Sequence, residues 1–255
     1  MSLSKCFEIL TKYFPSFILG VRTTLFVAIL GTFIGFIIGL IVGGIRAIKL
    51  DKTALKSKVI IKKVVDIIAK IYIEVFRGTP MMVQAVFIYY LVYTNIFKWN
   101  KMFAAVFVIS INTGAYMAEI IRSGIQAVDI GQDEAARSLG LSSMQTMQFV
   151  ILPQAIKNAF PAIGNELIVN IKDSSVLMII SITELMFQSN SIAGTTYRFT
   201  ETYFVTAMIY LLLTSISSFI LHLIEKRLNN TKTSFPQSDT NFHSMTIARS
   251  KNGLN

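Results

Sequence analysis

Apolar residues along this chain gather into long blocks. Charge-free runs cover residues 23–45, between Arg22 and Arg46, residues 78–97, between Arg77 and Lys98, and residues 102–118. A fourth lies at 202–224, between Glu201 and Glu225, and a further apolar stretch, 159–182, carries Glu166, Lys172 and Asp173. A helix needs about 20 apolar residues to cross a bilayer. The pattern therefore predicts an all-α membrane protein with five transmembrane helices, at 17–45, 72–97, 103–125, 158–182 and 202–225 within a domain of residues 16–228. An odd number of crossings puts the termini on opposite sides. Residues 1–15 form a short extracytoplasmic segment in which Phe7, Ile9, Leu10, Tyr13 and Phe14 fit either a helix lying on the outer membrane surface or a frayed terminus. Residues 229–255 are rich in Asn, Ser, Thr and Lys with no apolar period, the signature of a disordered tail.

One polar island interrupts this order. Residues 131–153 read Gly-Gln-Asp-Glu-Ala-Ala-Arg-Ser-Leu-Gly-Leu-Ser-Ser-Met-Gln-Thr-Met-Gln-Phe-Val-Ile-Leu-Pro and lie between two spans. Gln132, Asp133 and Glu134 set acceptors and negative charge at a helix N-terminus, where the macrodipole favours them. Ala135 and Ala136 leave a narrow helix face that could sit deep in a groove. Gly140 supplies the left-handed or otherwise strained backbone that ends this helix. Ser142 and Gln145 form a capping-box pattern that opens a second helix, which Pro153 closes. The result is a rigid knob, although Glu-Ala-Ala alone would fit an ordinary helix–turn–helix loop.

Charge orients the spans. Of 24 basic residues, eight fall within 46–70, directly after the first span. With 46–77, 122–157 and 226–255 on the cytoplasmic side, seventeen basic residues lie inside against six outside. The positive-inside bias then puts the N-terminus outside and the C-terminus and the island in the cytoplasm. The net charge of +10 therefore points to anionic lipid and not to nucleic acid. Only 15% of residues are charged and 53% are hydrophobic, whereas soluble domains carry about a quarter charged residues. Cys6 is the only cysteine, which excludes an intrachain disulfide and a Cys metal cluster. No cleavable signal peptide is expected, and the first long apolar run should stay as a span. Gly31, Gly35, Gly39 and Gly43 fall every fourth residue, a close-approach face within the chain or against a second subunit.

Enzyme chemistry is not expected. The chain holds no Gly-x4-Gly-Lys-Ser/Thr and no Gly-Lys pair, so it has no phosphate-cradling loop. No nucleophile–base set and no two-His metal pattern stands out; His222 and His243 are isolated. No cofactor is expected. Any ATP hydrolysis belongs to another polypeptide.

The island fits a spaced pattern, Glu-Ala-Ala, three residues, Gly, nine residues, an aliphatic, one residue, Leu-Pro, at Glu134, Ala135, Ala136, Gly140, Val150, Leu152 and Pro153. In this it resembles the cytoplasmic coupling loop of bacterial ABC importer membrane subunits. Glu74-Val-Phe-Arg-Gly-Thr-Pro80, Tyr116-Met-Ala-Glu-Ile-Ile-Arg-Ser-Gly124, Asn165-Glu166, Lys172-Asp-Ser-Ser175 and Glu184-Leu185 are similar to the polar amino-acid subfamily, which includes histidine, glutamine and arginine systems. The resemblance covers residues 16–226 and departs mildly at Val150, where the family has Ile. It implies a type I ABC importer permease fold with cytoplasmic coupling helices in the bacterial cytoplasmic membrane. It also implies two permease subunits, identical or related, two ABC ATPase subunits and an extracytoplasmic solute-binding protein. The ATPase-coupling residues would be Glu134, Ala135, Ala136, Gly140, Leu152 and Pro153.

Candidate solute contacts come from two polar stripes. Asn112, Tyr116 and Glu119 fall at i, i+4, i+7 in the third span, and Glu166, Asn170 and Asp173 repeat the spacing in the fourth. Polar groups at membrane depth are costly and normally face a bundle interior or a wet cavity. The stripes read as a pathway lining or as a sealed interhelical network. In a pathway, the acids would take a substrate's ammonium group, and Asn112, Asn170 and Tyr116 its carboxylate. Glu74 and Arg77 read as a helix-surface pair, and Gly78-Thr79-Pro80 as a kink without ligand contact. A permease for another small solute, or an autonomous ion-coupled carrier or channel, are the alternative functions; the docking island counts against the second.

Overall fold

The computed structural model describes residues 2–48 and 55–230. Residues 49–54, and the tail expected at 229–255 from residue 231 on, lie outside the described residues. Ten α-helices follow in order: α1 Leu3–Lys12, α2 Phe14–Ala47, α3 Lys56–Gly78, α4 Met81–Asn95, α5 Lys101–Gln126, α6 Ile130–Ser138, α7 Ser143–Thr146, α8 Leu152–Asp173, α9 Leu185–Thr196 and α10 Phe199–Asn230. Helices α2, α5 and α10 are each long and apolar enough to cross a membrane, and residues 143–180 with 185–196, bent by 56°, meet that standard together. The second span expected at 72–97 falls on the end of α3 and on α4, which part at Thr79–Pro80, and neither helix meets that standard by itself.

The first span packs inside the chain. Gly31, Gly35, Gly39 and Gly43 of α2 lie against Ile109, Thr113, Met117 and Ala118 of α5. A Cβ at Gly39 would stand 2.7 Å from the Met117 carbonyl carbon and 2.8 Å from the Ala118 nitrogen. Of the two readings of the glycine face, close approach within the chain is the one realised. Opposite this seam, Phe33, Ile37, Ile41 and Ile45 are exposed along one side of α2, as a lipid-facing surface is. A core of Val27, Ala85, Tyr89, Trp99, Ala105 and Ile109 joins α2, α4 and α5. Trp99 donates to the Tyr89 carbonyl at 3.3 Å, and its ring lies among Tyr89, Phe97, Phe103 and Phe107. Such an aromatic corner suits a membrane–water boundary.

At the N-terminus α1 is an ordered helix and not a frayed end. Cys6 and Ile9 are buried with Phe17, Leu185 and Val205, while Leu3 and Phe7 face outward. Glu8 accepts from Arg198, just before α10, at 2.8 Å. This exposed ion pair lowers the Glu8 pKa, chiefly through the Arg198 hydrogen bond and then through its charge.

The segment after α8 tightens into a 3-10 turn over Ser174–Ile180 and reverses at Ser181, whose φ is 63°. Glu184 then caps α9, accepting from the Met186 and Phe187 N–H groups at 2.8 and 2.6 Å and from the Tyr210 hydroxyl at 3.0 Å. α9 returns against α2 and α10, burying Leu185, Ser189, Ile192 and Ala193.

One local expectation is overturned. Pro153 does not close the second island helix. Residues Met147–Ile151 form a π-helical turn, and Pro153 sits in the first turn of α8. Proline lacks an N–H and crowds the carbonyl four residues back. Widening the turn, so that the Leu152 N–H reaches the Met147 carbonyl, lets the helix pass through.

Candidate functional site

The break between α3 and α4 creates the first part of the site. The residue before a proline is pushed from helical to extended backbone, and Thr79 takes φ −121°, ψ 145°. The break frees main-chain carbonyls. Gln84, one turn into α4, donates to the Phe76 and Thr79 carbonyls, both at 2.9 Å, and to the Thr79 hydroxyl at 2.8 Å. Asn112 of α5 adds a bond to the Phe76 carbonyl at 3.2 Å and donates to the Gln84 side-chain oxygen at 2.8 Å. An orphaned buried carbonyl costs about 1–3 kcal/mol, so this amide pair is what allows the span to stay broken.

Arg77, exposed in the last turn of α3, reaches toward α5. The ion pair expected between Glu74 and Arg77 does not form; Glu74 lies 3.7 Å from Lys70, one turn behind it. The Arg77 guanidinium sits 5.3 Å from the centre of the Tyr116 ring on α5.

A cavity of about 510 Å³ opens beside this break, lined by Arg77, Thr79, Asn112, Tyr116, Glu166, Asn170 and Asp173 among others. A second, of about 570 Å³, shares Arg77, Tyr116 and Glu166 and adds Glu119 and Asn158. Five of the six stripe residues therefore line one chamber, and Glu119 lines the next. Arg77 and Tyr116 stand where the two meet.

Within the chambers the polar groups differ in what they are free to do. Asn170 is buried; its amide donates to the Thr32 hydroxyl at 2.7 Å and the Thr113 hydroxyl at 2.9 Å, tying α8 to α2 and α5. Asn112 is engaged with the break. Glu119 pairs with Arg46 of α2 and Arg122 of its own helix. Arg77, Tyr116, Glu166 and Asp173 keep surface toward the chambers. Sequence reasoning missed Arg77 and Gln84. A lone amide four residues after Pro80 in an otherwise apolar run was the available signal for Gln84.

The island forms two short helices around a glycine corner. Asp129 caps α6 by accepting from the Gly131 N–H at 2.7 Å. Gly140 has φ 86°, and the Gly140 and Leu141 N–H groups bond back to Arg137 and Ala136 carbonyls at 2.9 and 3.2 Å. This closure needs a left-handed residue after the helix. Ser142 and Gln145 make the reciprocal capping box. Ala136 is buried, whereas Glu134, Ala135, Gly140 and Pro153 are exposed and Leu152 is half-buried. Leu139 is 82% exposed and Ile130 69%, an unusual display for residues on a polar loop.

Comparisons with known proteins agree with this geometry. Residues 53–230 match the family described as binding-protein-dependent transport system inner membrane component. The glutamine transport system permease protein GlnP of Escherichia coli (strain K12) is 36% identical over 216 residues, 84% of this chain and 93% of that one. A crystal structure of an amino acid ABC transporter with histidines superposes at a TM-score of 0.74 with 41% identity, covering 86% of this chain and 96% of that chain. The inward-facing MetNI methionine ABC transporter superposes at a TM-score of 0.69 with 20% identity, covering 83% and 95%, and so speaks for the fold alone. With the type I importer fold, the broken second span and the capped Glu-Ala-Ala loop all in place, this chain belongs to the binding-protein-dependent transport system inner membrane components and is a permease subunit of a bacterial ABC importer.

Proposed function

We propose that this subunit carries a polar amino acid across the bacterial cytoplasmic membrane, powered by ATP hydrolysed on a separate chain that grips residues 131–153. The observation that carries this reading is a chamber lined by both a cation, Arg77, and two acids, Glu166 and Asp173. A zwitterion needs a cation and an anion a few ångströms apart. Arg77 would take the carboxylate, with the Tyr116 hydroxyl beside it, and Glu166 or Asp173 the ammonium group. Asn112 and Asn170, whose amides are engaged, would hold the walls. Glu119, released from Arg46 or Arg122, would receive the solute in the second chamber. The relatives support the solute class: one is a glutamine permease, another an amino acid transporter with histidines.

In the proposed assembly two such permeases, identical or related, join two ATPases and an external solute-binding protein. Glu134, Ala135 and Gly140, which are exposed, form the docking knob; Ala136, expected on the same face, is buried and instead packs the knob against its own subunit, and the π turn joins the knob to Leu152 and Pro153 at the start of α8. The N-terminus lies outside and the C-terminus inside.

The test uses vesicles holding the whole complex. Arg77→Gln and Glu166→Gln should each lower amino-acid uptake about tenfold or more, as loss of a charge-assisted bond does, with assembly and basal ATP hydrolysis retained. Unchanged rate and selectivity in both would refute the site. Single cysteines at Ser142 and Ser191, in a Cys6-free chain, should label from opposite sides. Labelling of both from outside would refute the orientation.

A further inference from the structure

A third cleft, of about 560 Å³, lies away from the solute chambers, between the last turn of α2, the first half of α3 and the end of α5. Arg46, Lys62, Lys63, Lys70 and Arg122 line it against one acid, Asp66. Lys62 bonds to Asp66 and reaches the Arg46 carbonyl at 3.4 Å, which fixes α3 against the end of α2. Behind the wall Glu119 takes Arg46 and Arg122, and Glu74 takes Lys70. Five cations still face three acids. Lys56 and Lys58 extend the charge at the start of α3, whose first turn has no acid. A helix N-terminus disfavours cations, so these lysines do not stabilise the start of α3, whatever part they play in orienting the chain. An anion in the cleft would relieve the conflict.

The rest of the wall says what kind of anion. Ile48, Val59 and Ile67 share the cleft, and Ile60, Val64, Ile68 and Ile71 continue along α3 as an exposed aliphatic strip, each at least half exposed. A free phosphate would use the cations and leave the strip bare. An amphiphile would use both.

We propose that this cleft binds the phosphate headgroup of an anionic phospholipid of the inner leaflet, with its acyl chains along the aliphatic face of α3. The inference rests on the orientation proposed above, which places Lys56–Lys70 at the cytoplasmic boundary. There an anionic lipid would brace α2 and α3 against α5 beside the coupling loop.

The test is photocrosslinking of the whole transporter complex in phosphatidylcholine nanodiscs doped with a diazirine-bearing phosphatidylglycerol, with crosslinks mapped by mass spectrometry. Crosslinks should fall on residues 46–48 and 56–71 and be suppressed by unlabelled phosphatidylglycerol but not by glycerol 3-phosphate. Lys63→Gln with Lys70→Gln should lower the yield, roughly fivefold for each lysine removed. Lys63→Arg with Lys70→Arg should restore it, and Lys98→Gln with Lys101→Gln should leave it unchanged. Unchanged yield in the glutamine pair, or equal competition by glycerol 3-phosphate, overturns the proposal. Crosslinks gathered at Lys98–Lys101 would overturn it as well, and the cysteine labels at 142 and 191 report separately whether the orientation failed.

Discussion

The α2–α5 seam and the 127–153 loop use the same small residues to opposite ends. In the seam, glycine is there for what it lacks: Gly35 and Gly39 let Thr113 and Met117 come within contact of the α2 backbone. In the loop, nothing lies within 4 Å of a Cβ built on Gly140, and only its φ of 86° demands glycine. The seam has satisfied its surface internally, whereas the loop leaves Ile130, Leu139, Met144 and Phe149 exposed on a rigid, doubly capped frame. A surface that is both ordered and unsatisfied is what the docking proposed above would use. The two regions thus divide by where their apolar groups find contact.

The comparison breaks first at the seam. Gly39→Val forces side-chain atoms into the α5 backbone, an overpacking that costs about 3 kcal/mol or more. The subunit should fail to accumulate in the membrane, read as lost protein by quantitative immunoblot; a stable, active Gly39→Val would mean the two helices are free to part. At the corner, Gly140→Val puts a β-branched residue at positive φ, a local strain of about 1–3 kcal/mol. Insertion and thermal stability of the spans should hold, while solute-stimulated ATP hydrolysis and uptake fall together. Glu134→Lys should act the same way with less loss of the corner itself, because it reverses an exposed charge and strains nothing. Normal transport in both variants would reduce the loop to a linker.

The smallest effect belongs to α1. Glu8 has a lowered pKa in the folded chain, so its pairing with Arg198 contributes fully above the unfolded value of 4.5 and is lost as pH falls through the lower folded value. Hydrogen exchange of α1 amides, corrected for intrinsic rates, should quicken in the parent as pH falls from 4.5 through the lower folded value and show no such step in Arg198→Gln. Equal pH dependence in the two would show that apolar burial of Cys6 and Ile9 alone holds α1.

Much of the loop was readable in one dimension because its determinants are local. The Asp133 and Glu134 charges, the Gly140 corner and the Ser142–Gln145 box all act within a few residues. Where a reading depended on a distant partner it went astray or stayed open. Glu74 and Arg77 looked like a pair by spacing, yet Arg77 lies over the ring of Tyr116, some forty residues away in the chain, and Glu74 pairs with Lys70. Asn170 shared a stripe with Glu166, but only the approach of α2 and α5 showed its amide committed to Thr32 and Thr113.

By itself the sequence determined the membrane class, the polar island with its caps and corner, and the balance of basic charge, since each follows from runs, spacings and sums along the chain. It also set a glycine face on α2 without saying what would meet it. Tertiary structure decided that α5 meets it, that a proline passes through a π turn, and that Gln84 and Asn112 hold a span open. It also gathered Arg77, Tyr116, Glu166 and Asp173 around one chamber. Those outcomes depend on which helices come side by side. A buried carbonyl or carboxylate takes whichever donor packing brings within reach, and nothing in the local spacing of residues specifies that donor.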